Sequence, residues 1–364
     1  MKIITVAGAR PNFMKVAPII RAIHAHNQNG SAPLTHLLVH TGQHYDEKMS
    51  GVFFQELGIP APDINLAAGS GSHATQTANI MAKFDQVCEE QRPDWVIVVG
   101  DVNSTLACTL VGVKRGIKVA HVEAGLRSFD RTMPEEINRI VTDSIADLLL
   151  TPSEDANENL QREGVDATRI RLVGNVMIDT LLTNLPAARQ RQTYQRFRLE
   201  RHAYVYATLH RPQNVDSPDS IRRIVHALAG LAKNFPVILP IHPRTLKNCS
   251  TYSIPIESVP GLILTEPIGY LDSLSLIENS RFVLTDSGGL QEETTYFRTP
   301  CLTLRPNTER PITITTGSNS LTSVDRLDAD IAALLKRDLR YGSIPPLWDG
   351  AAAPRIVQQV IENT

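Results

Sequence analysis

WVIVVGDVNSTLACTLVGVKRGIKVAHV, Trp95 to Val122, is the stretch from which the fold can be argued. Trp95–Val99 is an unbroken apolar run ending in Gly100. Leu106, Leu110 and Val113 then recur at helical spacing and are closed by Gly116, and Ile117–Val122 is a second apolar run. A strand that is apolar at every position is buried on both faces, so the stretch reads as a β-α-β unit of a parallel sheet. Sequential strands of such a sheet are usually neighbours, with axes about 4.8 Å apart.

The alternation extends in both directions. Ile3–Ala7 is a strand, followed by a turn at Gly8 and Pro11 and by Phe13, Val16, Ile20 and Ile23 at helical spacing. Pro18 removes one helical hydrogen bond, which predicts a kink or a start later than Asn12. Leu34–Val39 is strand-like. Pro134 suits the first position of a helix whose inner face would be Ile137, Ile140, Val141 and Ile145. Leu148–Leu150 and Ile170–Val173 complete a first domain, 1–173. Arg189–Arg201 contains five arginines and reads as a connector with a solvated basic face. A second series follows within 174–350: Tyr204–Leu209, a helix over Pro218–Lys233, then Val237–Ile241, Leu262–Leu264, Phe282–Thr285 and Cys301–Leu304. The tail 351–364 offers one terminal helix, expected to pack back on the first domain. The expected class is therefore α/β, with two Rossmann-like domains.

At 364 residues the chain can hold two cores of ordinary size. Its 42% hydrophobic and 20% charged content is that of a globular protein, and a net charge of -2 gives no bulk attraction to nucleic acid or membrane. The four cysteines, Cys88, Cys108, Cys249 and Cys301, lack metal-type spacing, so free thiols and no metal site are expected. The N-terminus has neither the apolar length nor the cleavage site of a signal peptide, and no apolar run is long enough to span a bilayer. A cytoplasmic protein is expected.

Ligands of open parallel sheets bind beyond the carboxyl ends of the strands. Asp101 follows the strand Trp95–Val99 and Glu123 ends the strand Ile117–Val122, so two carboxylates would share one mouth. Like charges so close push at least one pKa upward, as general acid–base chemistry requires. The stretch HVEAGLRSFDRTMPEE, His121–Glu136, adds Glu135, Glu136, Arg127 and Arg131, far more charge than a strand-to-helix connector needs. The turn Gly8-Ala9-Arg10-Pro11 has one glycine where a dinucleotide loop needs three, so basic side chains, Arg10 and Lys15, would meet an anion there. Asp286-Ser287-Gly288-Gly289 lies between a strand and a helix and suits a diphosphate. Glu293, a turn into that helix, is placed to accept from ribose hydroxyls. His210-Arg211 and His242-Pro243-Arg244 put two histidine–arginine pairs at equivalent strand ends.

Nine motifs occur in order between about Lys2 and Asn319: GARPNFMKVAP, TGQHYDEKM, GDVNSTLA, HVEAGLRS, MPEEINR, LHRPQNVD, HPRT, DSGGLQEE and NTERP. Together they closely resemble the non-hydrolysing UDP-N-acetylglucosamine 2-epimerases. The resemblance implies the glycosyltransferase-B architecture, with two Rossmann-like domains facing one cleft, and interconversion of UDP-N-acetylglucosamine and UDP-N-acetylmannosamine without a cofactor. Its route is anti elimination of UDP to a bound 2-acetamidoglucal, followed by re-addition. By motif position it implies Asp101, Glu123 and Glu135 as catalytic carboxylates and His210 as the group assisting UDP. Arg10, Lys15, Ser287, Gly288, Gly289 and Glu293 would contact substrate, as would His242 and Arg244 at their strand end. A regulatory UDP-sugar site would use Gln43, His44 and Glu136, with His242 matching part of it, although Ala68–Gly71 lacks the arginine expected there. The implied partners are a UDP-sugar and a second copy in a homodimer, with no nucleic acid or membrane.

Other activities share these motifs. A hydrolysing 2-epimerase would let water reach the glycal, and an epimerase of a 2,3-diacetamido UDP-sugar would differ in pocket shape. A glycosyltransferase would have no use for three carboxylates. An inactive nucleotide-sugar-binding regulator would bind UDP without exchanging the C2 proton.

Overall fold

The computed structural model describes residues 1–8, 10–29, 32–42 and 60–364. Its strands form two parallel sheets. The first contains β1 (Lys2–Ala7), β2 (Thr35–His40), β3 (Ile64–Asn65), β4 (Trp95–Val99), β5 (Lys118–Val122), β6 (Leu148–Thr151) and β7 (Ile170–Leu172), in the order β3-β2-β1-β4-β5-β6-β7. The second contains β8 (Val205–Thr208), β9 (Val237–Pro240), β10 (Leu262–Thr265), β11 (Phe282–Thr285), β12 (Cys301–Leu304) and β13 (Asn319–Thr322), in the order β10-β9-β8-β11-β12-β13. Both orders reverse next to their first strand, at β1/β4 and at β8/β11. Each sheet is therefore a doubly wound, Rossmann-like unit with a switch point at the carboxyl ends of those strands.

The longer helices are α1 (Arg10–Gln28), α2 (His73–Gln91), α3 (Asn103–Lys114), α4 (Pro134–Ile145), α5 (Glu154–Arg162), α6 (Val176–Arg191), α7 (Pro218–Ala232), α8 (Pro243–Thr251), α9 (Tyr270–Asn279), α10 (Gly288–Phe297), α11 (Leu327–Leu334) and α12 (Ala352–Glu362). In the first unit Val96 and Val98 of the sheet share a core with Ile80 and Phe84 of α2 and Ala107, Cys108 and Val111 of α3. Each of the valine, isoleucine and phenylalanine side chains contributes roughly 1.5–3 kcal/mol when it leaves water. All four cysteines are free and buried.

Contacts divide the chain into Met1–Thr183 with Pro346–Thr364, and Asn184–Pro345. The division falls inside α6 rather than at residue 173, because the start of α6 is fastened to the first unit. Thr180 Oγ1 donates to the Met14 carbonyl of α1, and Asp179 caps α12 by accepting from the amides of Ala352 (3.1 Å) and Ala353 (2.7 Å). The return starts at Pro346 rather than 351, since Trp348 Nε1 donates to the Pro152 carbonyl at 3.1 Å.

Three expectations change. Helix α1 runs through Pro18 from Arg10, and the Met14 carbonyl that Pro18 cannot serve is the one Thr180 supplies. Helix α4 buries Glu136, Asn138, Arg139, Thr142 and Asp143, while Ile137 is exposed and Ile140, Val141 and Ile145 are half-buried. Its apolar stripe thus faces outward, because the inner side must meet the polar ends of β4 and β5. The arginine-rich stretch belongs to the second unit. Arg189 pairs with Glu278, and Arg191 and Arg196 pair with Asp272, all on α9, while Tyr194 and Leu199 are buried beside Tyr204 and Tyr206.

Candidate active site

Strands β4 and β5 pair in parallel, with Val99 opposite Val122, so Asp101 and Glu123 emerge at one end of adjacent strands. They do not face each other as unscreened charges. Lys15, from α1, donates from Nζ to Glu123 Oε2, whereas Arg139 Nη1, from α4, donates to Asp101 Oδ2. The mutual repulsion expected from the sequence is therefore offset by one cation for each carboxylate, and Lys15 meets Glu123 rather than standing free for an anion. Glu123 is 4% exposed and its Oε1 has no hydrogen-bond partner among the described residues. Its backbone takes φ 69°, a left-handed value rare outside glycine. Gly100 also has φ +68°, a backbone value that favours glycine, and a Cβ there would lie 2.8 Å from Lys15 Nζ.

The loop leading to α4 is closed by Glu136. Its carboxylate accepts from Ser128 N (3.0 Å), Phe129 N (2.8 Å) and Arg139 Nε (2.9 Å). Burial would raise that carboxyl, but the Ser128 amide and Arg139 bring it below the usual range. Glu136 is thus committed to the loop frame and offers no open oxygen to a regulatory ligand in this conformation. Arg139 joins it to Asp101, a link the sequence reading missed although Arg139 lies one helical turn beyond Glu136. Glu135, beside it at the helix start, is half-buried and makes no ion pair or hydrogen bond with a described residue. The side chain of Arg10, and Gln43 and His44, lie outside the described residues.

In the second unit the organising residue is Asp286, at the end of β11. It is fully buried and accepts from the amides of His210 (3.0 Å) and Arg211 (2.8 Å) and from Asn214 Nδ2 (3.1 Å), with His210 Nδ1 at 2.9 Å. Burial would raise the Asp286 carboxyl, but His210 and these donors lower it. The His210 side chain is 48% exposed, and with Nδ1 engaged, Nε2 is the nitrogen left for a ligand.

Ser287 precedes α10 without a side-chain cap, which leaves the first amides of that helix and the Ser287 hydroxyl for an anion. Gly289 has open space where a Cβ would stand. At Gly288 a Cβ would lie 2.9 Å from Glu309 Oε1 and 3.2 Å from Arg310 Nη1, the side-chain ends of an ion cluster behind the loop. In the cluster Arg305 donates to Glu309 at 2.9 Å, and Arg310 pairs with Glu309 and lies 2.8 Å from Glu292. Glu293 is buried beside Glu292 and Tyr270. Burial, then Glu292, pushes its carboxyl up to about 8 against a lowering by Tyr270, so it is largely protonated at neutral pH. His242 Nδ1 accepts from the Arg244 amide as the cap of α8, which leaves Nε2 of this exposed ring for a ligand, while the Arg244 guanidinium pairs with Asp216.

A doubly wound pair of α/β units, with carboxylates at the strand ends of one and an open glycine-led helix start in the other, defines a glycosyltransferase-B-like protein. The family model for UDP-N-acetylglucosamine 2-epimerase matches residues 26–361. The UDP-N-acetylglucosamine 2-epimerase of Methanocaldococcus jannaschii is 40% identical over 367 residues, covering 98% of each chain. The UDP-2,3-diacetamido-2,3-dideoxy-D-glucuronate 2-epimerase of Pseudomonas aeruginosa is 41% identical over 329 residues, covering 90% of this chain and 89% of that one. The crystal structure of the M. jannaschii enzyme in complex with UDP-GlcNAc and UDP superposes with a TM-score of 0.88 at 39% identity, covering 100% of both chains. The chain belongs to the UDP-N-acetylglucosamine 2-epimerase family of isomerases. No helix among the described residues is long and apolar enough to cross a membrane.

Proposed function

We propose that the protein interconverts UDP-N-acetylglucosamine and UDP-N-acetylmannosamine without hydrolysis. The observation that carries this is the pairing of β4 with β5, which puts Asp101 and Glu123 at one strand-end mouth, with Glu135 on the helix that follows. The C2 proton of an acetamido sugar is poorly acidic, so inversion proceeds by elimination. A carboxylate takes the C2 proton, the C–H electron pair forms the C1=C2 bond of 2-acetamidoglucal, and the C1–O bond breaks with its pair leaving on the UDP β-phosphate. Re-addition of that oxygen to C1, with a proton delivered to the other face of C2, gives the epimer. Atoms and electrons balance without a redox partner. Separate carboxylates serve the two faces, the α10 amides and Ser287 hold the diphosphate, and His210 Nε2 meets the charge that develops on it. His242 Nε2 is open to substrate with the α8 cap in place, and Arg244 joins it when Asp216 releases its guanidinium.

Incubation with UDP-GlcNAc in deuterated water tests the proposal. Deuterium at C2 of the recovered UDP-sugars is expected. Accumulation of free N-acetylmannosamine would make the enzyme a hydrolysing one, and tight UDP binding without exchange would make the protein a regulator. The 41% identity to the Pseudomonas protein favours a second reading, in which the substrate is a 2,3-diacetamido uronate. The same assay with both UDP-sugars separates the two. We also propose a homodimer, supported by the outward apolar stripe of α4, and sedimentation equilibrium tests it.

A further inference from the structure

His121 lies on β5 two residues before Glu123 and is fully buried. Its Nδ1 is 2.6 Å from Asp143 Oδ1 and its Nε2 is 2.8 Å from the Gly100 carbonyl oxygen. A carbonyl can only accept, and so can an ionised carboxylate. A neutral ring, with one N–H, would leave one of these short contacts without a hydrogen. Asp143 is itself held by donors: Arg127 Nη1 at 2.7 Å and the Gly125 amide at 3.0 Å, both on Oδ2. Arg127 in turn forms a two-point pair with Glu163, at 2.8 and 2.6 Å. Arg127 thus carries buried Asp143 on one side and, on the other, Glu163, whose side chain is 38% exposed.

The two ends of this network touch the backbone at informative places. The Gly100 carbonyl immediately precedes Asp101, and the Gly125 amide follows Glu123 by two residues. One histidine–aspartate pair therefore ties down the turns on both sides of the carboxylate mouth. Direct proton exchange between His121 and a substrate is excluded, because both nitrogens are occupied and no atom of the ring is exposed.

We propose that His121 is a positioning residue, a doubly protonated imidazolium clamped between Asp143 and the Gly100 carbonyl, which fixes the turns bearing Asp101 and Glu123. The proposal rests on the assignment of those carboxylates to proton transfer at C2. Their working geometry is narrow, since a displacement of 1 Å can cost about 10²-fold in rate.

The test has a spectroscopic and a kinetic arm. In full-length protein labelled with 15N-histidine at neutral pH, the His121 signals, assigned by their loss in His121→Gln, are expected to show hydrogen on both nitrogens. One bare nitrogen would overturn the proposal. In C2 deuterium exchange, His121→Leu is expected to lower kcat by about 10²-fold with UDP affinity unchanged. His121→Gln, which keeps a donor toward Gly100, should recover part of the rate. UDP titration and a cooperative thermal transition establish that the variants fold. A folded His121→Leu with wild-type kcat overturns the positioning role. If instead Asp101→Asn exchanges at the wild-type rate, the assignment of Asp101 to proton transfer has failed, and if wild type itself shows no C2 exchange the epimerase reading has failed, while the imidazolium signature still decides the state of His121.

Discussion

Lys15 Nζ is hydrogen-bonded to Glu123 Oε2, while Glu123 Oε1 is buried with no hydrogen-bond partner among the described residues. One oxygen of the carboxylate is anchored and the other is left for a substrate. Glu123→Gln keeps the shape and removes the base. It should lower C2 exchange by about 10²–10⁴-fold and leave UDP affinity near wild type, and Asp101→Asn should behave likewise. Isothermal titration with UDP beside the exchange assay checks this. A fall in affinity as large as the fall in rate would remove these residues from proton transfer. Lys15→Met, which strands a buried carboxylate, should cost about 3–5 kcal/mol in urea unfolding, most of it regained when Glu123→Gln is added.

Arg139 bridges Asp101 and Glu136 with its two arms. A lysine keeps the charge but cannot reach both carboxylates with one ammonium. Arg139→Lys should therefore slow exchange by about 10²-fold through misplacement of Asp101, with UDP affinity retained. Single-turnover measurements separate this slow chemical step from slow product release. An unchanged chemical step would show that the bridge serves the loop alone.

Much of this site could be read in the sequence because strand-end position is a one-dimensional property. Asp101, Glu123, His210 and Ser287 follow apolar runs, and runs of that kind become strands wherever they fall. What could not be read is what each side chain meets. Lys15 and Glu123 are separated by 108 residues and Arg139 and Asp101 by 38, so no local pattern announces either pair. Helix α4 shows the same limit. Its apolar spacing gave the helix correctly and the buried face wrongly, because the groups beneath it are charged strand ends rather than a core. Helix α2 went unread even though Ser72 caps it and Ile80, Phe84, Val87 and Cys88 follow helical spacing. Asp286 was read as one member of a glycine-rich turn, and only the fold shows four donors converging on it.

The carboxyl of Glu293 gives a pH test. Its folded value, raised to about 8 from 4.5, means that the folded state holds a proton the unfolded chain releases. Its contribution to stability is complete below about pH 4.5 and declines as pH rises through about 8, by at most about 1.4 kcal/mol per pH unit. Glu293→Gln has no such loss. The variant should match wild type near pH 4.5 and gain on it progressively to about pH 8, then run parallel, when urea midpoints are compared across that range. A constant difference between the two proteins would mean that Glu293 is not protonated on folding. UDP affinity of the variant should fall if Glu293 meets the ribose.

Asp286 has the opposite sign. Its carboxyl is buried, which alone would raise it, but His210 and the amides beside it hold it below 3.8. A depressed acid stabilises the fold above its unfolded value, and the stability is lost as pH falls through the folded one. Acid unfolding should therefore begin at higher pH in variants lacking His210 than in wild type. Asp286→Asn replaces one of two accepting oxygens with a donor, so the amides of His210 and Arg211 and the Asn214 side chain no longer share a carboxylate. It also turns the group facing His210 Nδ1 from an obligate acceptor into one that can donate, which frees the imidazole to present the wrong nitrogen. The expected result is a fall in C2 exchange of about 10²–10⁴-fold, larger than that of an ordinary buried-bond loss and accompanied by a changed pH–rate profile. If the pH profile stays as in wild type while the rate falls with stability, Asp286 supports the turn, and His210 does not act on UDP through it.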